Sequence, residues 1–540
     1  MRMTGAQAII KALELEGVGT VFGYPGAAIS PFYDALVDSN VRHILTRHEQ
    51  GAAHAANGYA RVTGRVGVCV STSGPGATNL ITGIANAYMD SIPIVAITGQ
   101  VDRELIGTDA FQEADITGAT APFCKHNYLV KNADNLPRII KEAFHIAGTG
   151  RKGPVVIDVP VDVQNSILEF NYPDTISIKG YKPTYKGHPV QIKRALTAIE
   201  KASAPIICAG GGVIASDASM ELQKLAEAYN IPVVTTMMGI GSIPYEHPLH
   251  FGMVGSHGSN TANYALHNAD VVIILGARAG NRAIGSSAVL SEKATIIHID
   301  IDPAEIGKNI DASIPLVGDV KLILKELLDI AGSSDDREWV DNVAAHKNQL
   351  KQRKRNNSDS IDPKNMLSIL SDFLPTNAVI ATEVGQNQIW TANNYRFSTP
   401  KTFITSGGLG TMGYGLPAAV GAKLGKPDVP VVVVSGDGSF QMSMQELGTM
   451  KQYNIGVKII LFNNQRLGLV RELQDLKHGS RYSQIFLDNN PDFVMLAKAY
   501  GFKGERISKA SEVEGAMKRL TEDNEPYLLE CVIDPFESSL

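Results

Sequence analysis

The residues best placed to do chemistry stand at the ends of two apolar runs. VPVVVVS delivers Gly436-Asp437-Gly438-Ser439, and the later run VKIILF delivers Asn463-Asn464. Asp437 and Asn464 are 27 positions apart, the span of a strand-end loop, a helix and a second strand, so both are expected at one edge of a parallel sheet. A hard ion such as Mg2+ takes near-octahedral oxygen ligands and commonly binds through one carboxylate plus ligand phosphates. Asp437 offers the carboxylate and Asn464 an amide oxygen, while Gly438 and Ser439 can present N–H and hydroxyl groups to phosphate oxygens. A second carboxylate, Glu49, follows the run VRHILT and opens a stretch of small residues, Gln50-Gly51-Ala52-Ala53-His54. Taken alone, Glu49 reads equally well as an acid favouring a helix N-terminus.

Positioning such groups requires strands that end together, and the chain supplies them throughout. Short Val/Ile-rich runs alternate with helix-period segments, including VGVCVST, IPIVAITG, GPVVIDVP, APIICAGG, VVIILGA, TIIHIDI and YLLECVI. That pattern belongs to parallel strands buried on both faces, and predicts an α/β fold of doubly wound sheets. Two polar stretches, Glu169 to Pro189 and Gly332 to Asp362, read as connectors. They leave pieces of about 1–165, 190–332 and 362–540, each long enough for a five- or six-stranded sheet. Other glycine-rich turns follow strands at Ser73-Gly74-Pro75-Gly76, Gly210-Gly211-Gly212 and Gly407-Gly408-Leu409-Gly410, each singly compatible with a plain tight turn.

Composition narrows the partners. With 49 Lys+Arg against 55 Asp+Glu and a net charge of -6, the chain lacks the basic surface a nucleic acid would need. The one dense basic run, Lys347 to Arg355 with Lys351, Arg353 and Lys354, reads as a solvated linker helix. No apolar stretch approaches the ~20 residues of a membrane span. Cys69, Cys124, Cys208 and Cys531 form no CxxC pair and fit buried reduced thiols, and the amino-terminal residues read as an amphipathic helix, so a cytoplasmic protein is expected.

The Gly-Asp-Gly…Asn-Asn spacing resembles the thiamin-diphosphate signature. The segments FGYPG, RHEQGAAHAANGYAR, TSGPGATN, FQEADI, GPVVIDVP, HIDIDPAEIGKN and GGLGTMGYGLPAA extend the likeness from about Thr4 to Asp534. The sequence thereby resembles the acetohydroxyacid synthase (acetolactate synthase) catalytic-subunit family of thiamin-diphosphate enzymes. The resemblance implies a pyrimidine-binding domain, a central FAD-type domain and a diphosphate domain, in that order. It makes Asp437, Asn464 and the carbonyl of Arg466 the Mg2+ ligands. Gly26, Gln386, Gly436, Gly438, Ser439, Gly468 and Leu469 would join the thiamin diphosphate site, with Asn387 beside Gln386. Glu49 would bond N1′ of the aminopyrimidine and need apolar surroundings, while His48 and His54 would pack rather than act as bases. Met412 would be the apolar wedge under the cofactor, Gln112 would face the reacting atoms, and Arg282 would hold a substrate carboxylate.

For an FAD that does no redox work, the matching positions are Gly210, Gly211, Gly212, Thr236, Met237 and His257, followed by Gly276, Arg278, Arg282, Asp300, Ile301 and Asp319. The chain departs from the family pattern in four places: Ala279-Gly280-Asn281 between the two arginines, Leu473 for a usual tryptophan, Val161 for a lysine and Asn387 for a histidine. The implied reaction decarboxylates pyruvate and joins its two-carbon unit to a second 2-oxo acid. Leu473 argues for weak discrimination between pyruvate and 2-oxobutyrate as acceptor, and so for pyruvate self-condensation to 2-acetolactate as the main reaction. Pyruvate oxidase, a related carboligase or decarboxylase, and an inactive regulatory paralogue are the alternatives. The family's site is shared between subunits, which implies a homodimer or homotetramer. A small regulatory subunit, and the choice between branched-chain amino-acid synthesis and acetoin formation, stay open.

Overall fold

Val431 and Val433 enter one hydrophobic cluster while Val432 and Val434 enter another, so the strand Val431–Gly436 is buried on both faces. The same alternation places Ile459 and Leu461 on one side of Val457–Asn463 and Ile460 and Phe462 on the other. At ~1.5–3 kcal/mol for each fully buried aliphatic side chain, such runs are stable only as interior strands flanked by helices. The computed structural model describes residues 1–285, 287–334, 336–350 and 359–540. Lys351, Arg353, Lys354 and Arg355 of the basic run lie outside the described residues.

The expected α/β architecture is present as three six-stranded sheets, parallel throughout. The first runs Arg42–Leu45, Thr20–Gly23, Gly67–Ser71, Ile94–Gln100, Val155–Pro160, His126–Leu129. The third runs Phe403–Ile404, Val379–Thr382, Val431–Gly436, Val457–Asn463, Tyr527–Val532, Lys503–Ile507. Counted along the chain within each sheet, both have strand order 2-1-3-4-6-5. The central sheet differs, with His250–Met253, Val233–Thr235, Pro205–Ala209, Val271–Leu275, Thr295–Asp300 and Ile314–Val317 in the order 3-2-1-4-5-6. That order places a topological switch point between Pro205–Ala209 and Val271–Leu275.

The first and third sheets are joined through two helices rich in small residues, Glu49–Thr63 and Gly415–Gly425. A Cβ at Gly58 would collide with the Ala418 carbonyl, and one at Gly421 with the Ala55 carbonyl, so the two backbones are in direct contact. Around this contact Tyr414 Oη donates to Asn57 Oδ1 at 2.8 Å, and Arg61 pairs with Asp90 at 2.6 Å in a buried ion pair.

Two features of the chain differ from the reading of its sequence. The amino-terminal helix Gly5–Leu15 is preceded by a short strand, Arg2–Thr4, which pairs antiparallel with Ile167–Glu169. The second connector contains the helix Glu338–Leu350, whose Val340 and Val343 are buried in the central core. All four cysteines are buried and free, and among the described residues no helix is long and apolar enough to cross a membrane.

Candidate active site

Because Val431–Gly436 and Val457–Asn463 are adjacent and parallel, Asp437 and Asn464 emerge at the same sheet edge. Asp437 is buried and starts the short helix Asp437–Phe440. Its carboxylate accepts the Gly438 N–H at 3.0 Å and the Asn490 Nδ2–H at 2.7 Å. Burial pushes the Asp437 pKa up to about 6 despite these donors, so the site is charged at a cost that a cation would offset. Asn464 Oδ1 accepts the Arg466 N–H at 3.1 Å, while its Nδ2 donates to Gln386 Oε1 at 3.1 Å. Gly468 backs directly onto that Gln386 oxygen, and Leu469 follows it in the helix Gly468–His478. Ser439 Oγ faces the Gly436 carbonyl at 3.4 Å.

The polar inventory fits a diphosphate held with a hard cation. Asn387 is buried, its Oδ1 has no hydrogen-bond partner among the described residues, and its Nδ2 lies 3.2 Å from where a Gly436 Cβ would stand. Among the described residues no group of three His, Cys, Asp or Glu side chains is arranged for a metal. A hard ion here would depend on one carboxylate, an amide oxygen and a peptide carbonyl, completed by phosphate and water. Met412 Cε comes within 3.9 Å of the Gly438 Cβ position, which puts the methionine over the same turn.

At the first sheet, Glu49 begins the helix Glu49–Thr63, and His48 caps it by accepting the Gln50 N–H at 3.1 Å. Glu49 is half-buried, with Asn79 Nδ2 donating to Oε2 at 3.0 Å, so within one chain this side of the carboxylate is polar rather than apolar. A Cβ at Gly76 would lie 3.3 Å from Glu49 Oε1. Gln112, with φ +60°, packs on Gly74, leaving neighbouring Phe111 85% exposed. Gly26 seats on Thr72, whose hydroxyl accepts the Ala28 N–H at 3.1 Å. His54 is fully buried against Tyr414, and burial pulls its pKa down to about 3, so it packs as a neutral ring.

In the central domain, Gly210, Gly211 and Gly212 press against Gly276 and Met238 at the switch point. The Thr236 N–H bonds the Ala209 carbonyl at 2.9 Å, which brings Met237 beside that turn. His257 lies near Arg282, as the Ser256 N–H bonds the Arg282 carbonyl at 2.9 Å, and the Arg282 side chain is exposed. The Arg278 carbonyl accepts Asn309 Nδ2–H at 2.6 Å. Asp300, followed by Ile301, has its pKa pushed up to about 6 by burial, and Asp319 caps the helix Val320–Leu328 through the Leu322 N–H at 3.1 Å. These positions follow the carboxyl ends of the strands, where a dinucleotide binds in sheets of this order.

Comparison with known proteins matches residues 3–119 to the N-terminal TPP-binding domain of thiamine pyrophosphate enzymes, 192–327 to their central domain and 383–531 to their C-terminal TPP-binding domain. A probable acetolactate synthase large subunit of Methanocaldococcus jannaschii is 50% identical, covering 99% of this chain and 93% of its own length. The acetolactate synthase large subunit of Corynebacterium glutamicum is 47% identical over 98% of this chain and 87% of its own. The Escherichia coli isozyme 2 large subunit is 45% identical over 99% and 96%. The chain belongs to the acetolactate synthase large-subunit family.

Within that family frame, the departing residues occupy distinct settings. Asn387 sets its Nδ2 beside Gly436, and Leu473 is 45% exposed on the helix Gly468–His478. Val161 starts the short helix Val161–Asn165, and Ala279 is buried at φ +50°. Sequence reading had assigned no role to Asn79, Glu383, Glu446 or Asn490. Asn79 ends the segment TSGPGATN, whereas Glu383, Glu446 and Asn490 act through contacts that no local pattern announces.

Proposed function

We propose that this chain is the catalytic subunit of an acetolactate synthase that decarboxylates pyruvate and joins the two-carbon unit to a second 2-oxo acid, chiefly pyruvate. The observation that carries this reading is the meeting of Asp437, Asn464 and Gln386 at one sheet edge with Met412 over the Gly438 turn. Thiamin diphosphate, when bound, supplies the carbon nucleophile and the electron sink for decarboxylation. Asp437, Asn464 and the Arg466 carbonyl would hold Mg2+, and Gly26, Gln386, Gly436, Gly438, Ser439, Gly468 and Leu469 would surround the cofactor. Glu49 would hold a proton at the pyrimidine ring nitrogen, Met412 would orient the ring, and Gln112 would face the substrate. Arg282, exposed in the central domain, would pair with a substrate carboxylate.

FAD is assigned to the central crevice, where Gly210–Gly212, Gly276 and Asp300 offer a glycine turn and a carboxylate suited to a dinucleotide. A cytoplasmic homodimer or homotetramer, with a small regulatory subunit as a further partner, completes the proposal. In its favour, the hydrogen bonds that the same chain's third domain makes to Arg47 come from Glu446, Gly448 and Gln452, none of them in the Asp437 turn. A second copy would bring a diphosphate end to Glu49.

Protein supplied with thiamin diphosphate, Mg2+ and pyruvate should release CO2 and acetolactate in equal amounts. The altered Leu473, Val161 and Asn387 favour, as the second reading, a carboligase with another donor or acceptor, for which pyruvate would give no turnover. An oxidase would instead reduce the flavin when pyruvate is added without oxygen.

A further inference from the structure

We propose that Glu383 is a positioning residue that fixes the Met412 loop over the diphosphate turn. The strand Val379–Thr382 ends in Glu383, which is wholly buried. Its Oε2 accepts the Gly413 N–H at 2.8 Å, and its Oε1 accepts the N–H groups of Gly415 at 2.7 Å and Leu416 at 3.3 Å. The carboxylate thus grips the chain immediately after Met412 and at the start of the helix Gly415–Gly425, whose dipole favours a negative charge there. On the other side of Met412, Asp90 accepts the N–H groups of Gly407 at 3.2 Å and Gly408 at 2.7 Å, and Ser406 Oγ accepts that of Thr411 at 2.9 Å. Gly410 at φ +72° and Gly413 at φ +84° make the intervening backbone dependent on such outside anchors.

The two carboxylates are not equivalent. Asp90 is neutralised by Arg61 at 2.6 Å, whereas among the described residues Glu383 pairs with no cation and is met by amide dipoles alone. Burial pushes its pKa up to about 7 against the pull of those amides. Burying a charge without a counter-charge is costly, and merely tying down a loop does not require one. What the geometry specifically obtains is a fixed separation between Met412 and the Gly438 turn, now 3.9 Å from methyl carbon to Cβ position.

This inference rests on Met412 being the side chain that orients the cofactor ring, so the two are tested together. The readouts on purified holoenzyme are deuterium exchange at the thiazolium carbon of bound thiamin diphosphate, kcat, and the dissociation constant of the Mg2+ complex. Glu383→Gln places an amide NH2 against backbone N–H groups. It should slow exchange and lower kcat by about 10-fold or more, as small misplacements near reacting atoms do, while cofactor affinity stays within about 3-fold. In a Met412→Ala background the same change should cost less than about 2-fold. Wild-type exchange in folded Glu383→Gln, or losses that simply multiply in the double variant, would overturn the role of Glu383. Wild-type exchange in Met412→Ala alone would instead overturn the assignment of Met412. If Glu383→Gln does not accumulate folded, Glu383→Asp, which keeps the charge but shortens the reach, is measured in the same way. Slowed exchange supports the proposal and an unchanged rate overturns it.

Discussion

Glu446 Oε1 accepts the Arg47 N–H at 3.0 Å, so a side chain of the third domain holds the backbone two residues before Glu49. The other oxygen accepts the Thr449 hydroxyl at 2.6 Å, and a Cβ at Gly51 would lie 2.5 Å from the carboxylate. The strand end that carries Glu49 is therefore not positioned by its own domain alone. Glu446→Ala should cost about 1–3 kcal/mol, because the part-buried Arg47 N–H loses this acceptor and the Thr449 hydroxyl keeps only the Leu45 carbonyl at 3.3 Å. It should also lower kcat more than it weakens cofactor binding. Urea unfolding and steady-state kinetics check both, and an unchanged kcat would contradict the link to Glu49.

The backbone contact between the helices Glu49–Thr63 and Gly415–Gly425 leaves no room for a side chain at Gly58 or Gly421. Gly421→Ala should destabilise the chain by about 3 kcal/mol, at the upper end of ordinary overpacking, because carbonyl groups rather than flexible side chains oppose the methyl. A midpoint of urea unfolding equal to that of the parent would show that the helices can separate at no cost.

Asp158 gives a pH dependence with a definite sign. Burial pushes its pKa up to about 7, against hydrogen bonds from Thr98 at 2.6 Å and Gln100 at 3.0 Å. Gln100 also donates to the Ala114 carbonyl at 2.8 Å, so the loop bearing Gln112 sits on this network. The folded state holds this proton more tightly than the unfolded chain, whose Asp titrates near 4. The contribution is fully present below about pH 4 and is lost as pH rises through about 7. Asp158→Asn should remove up to about one proton, ~1.4 kcal/mol per pH unit, from the slope of unfolding free energy between those limits. Equal slopes in both proteins would contradict the assignment.

Acceptor choice is expected to turn on position 473. With Leu473 on the open side of its helix, pyruvate and 2-oxobutyrate should be used at comparable kcat/KM, since one methylene is worth only ~1–3 kcal/mol even in a fitted pocket. Leu473→Trp should shift the ratio toward 2-oxobutyrate by about 10-fold. A parent that already strongly prefers 2-oxobutyrate in direct competition would refute the argument.

The sequence carried the architecture because runs such as VVIILGA and VPVVVVSG are buried on both faces, a condition that composition alone records. Asp437 and Asn464 were legible because a strand, a helix and a strand fix their separation covalently. Asn490 was not, since it reaches Asp437 through a loop 53 positions away whose path depends on packing. Glu446 was not, because its partner Arg47 lies 399 positions distant in another domain. The helix Glu338–Leu350 was concealed by its charged neighbours, which mask the two buried valines that hold it.

The most direct measurement compares the parent and Glu49→Gln, each loaded with Mg2+ and thiamin diphosphate and given pyruvate. The parent should release equal CO2 and acetolactate. The variant should bind the cofactor within about 3-fold of the parent yet lose about 100-fold or more in both products, the scale of a missing general acid-base group. Equal turnover by the two proteins, or a parent that binds the cofactor and leaves pyruvate untouched, would contradict the account.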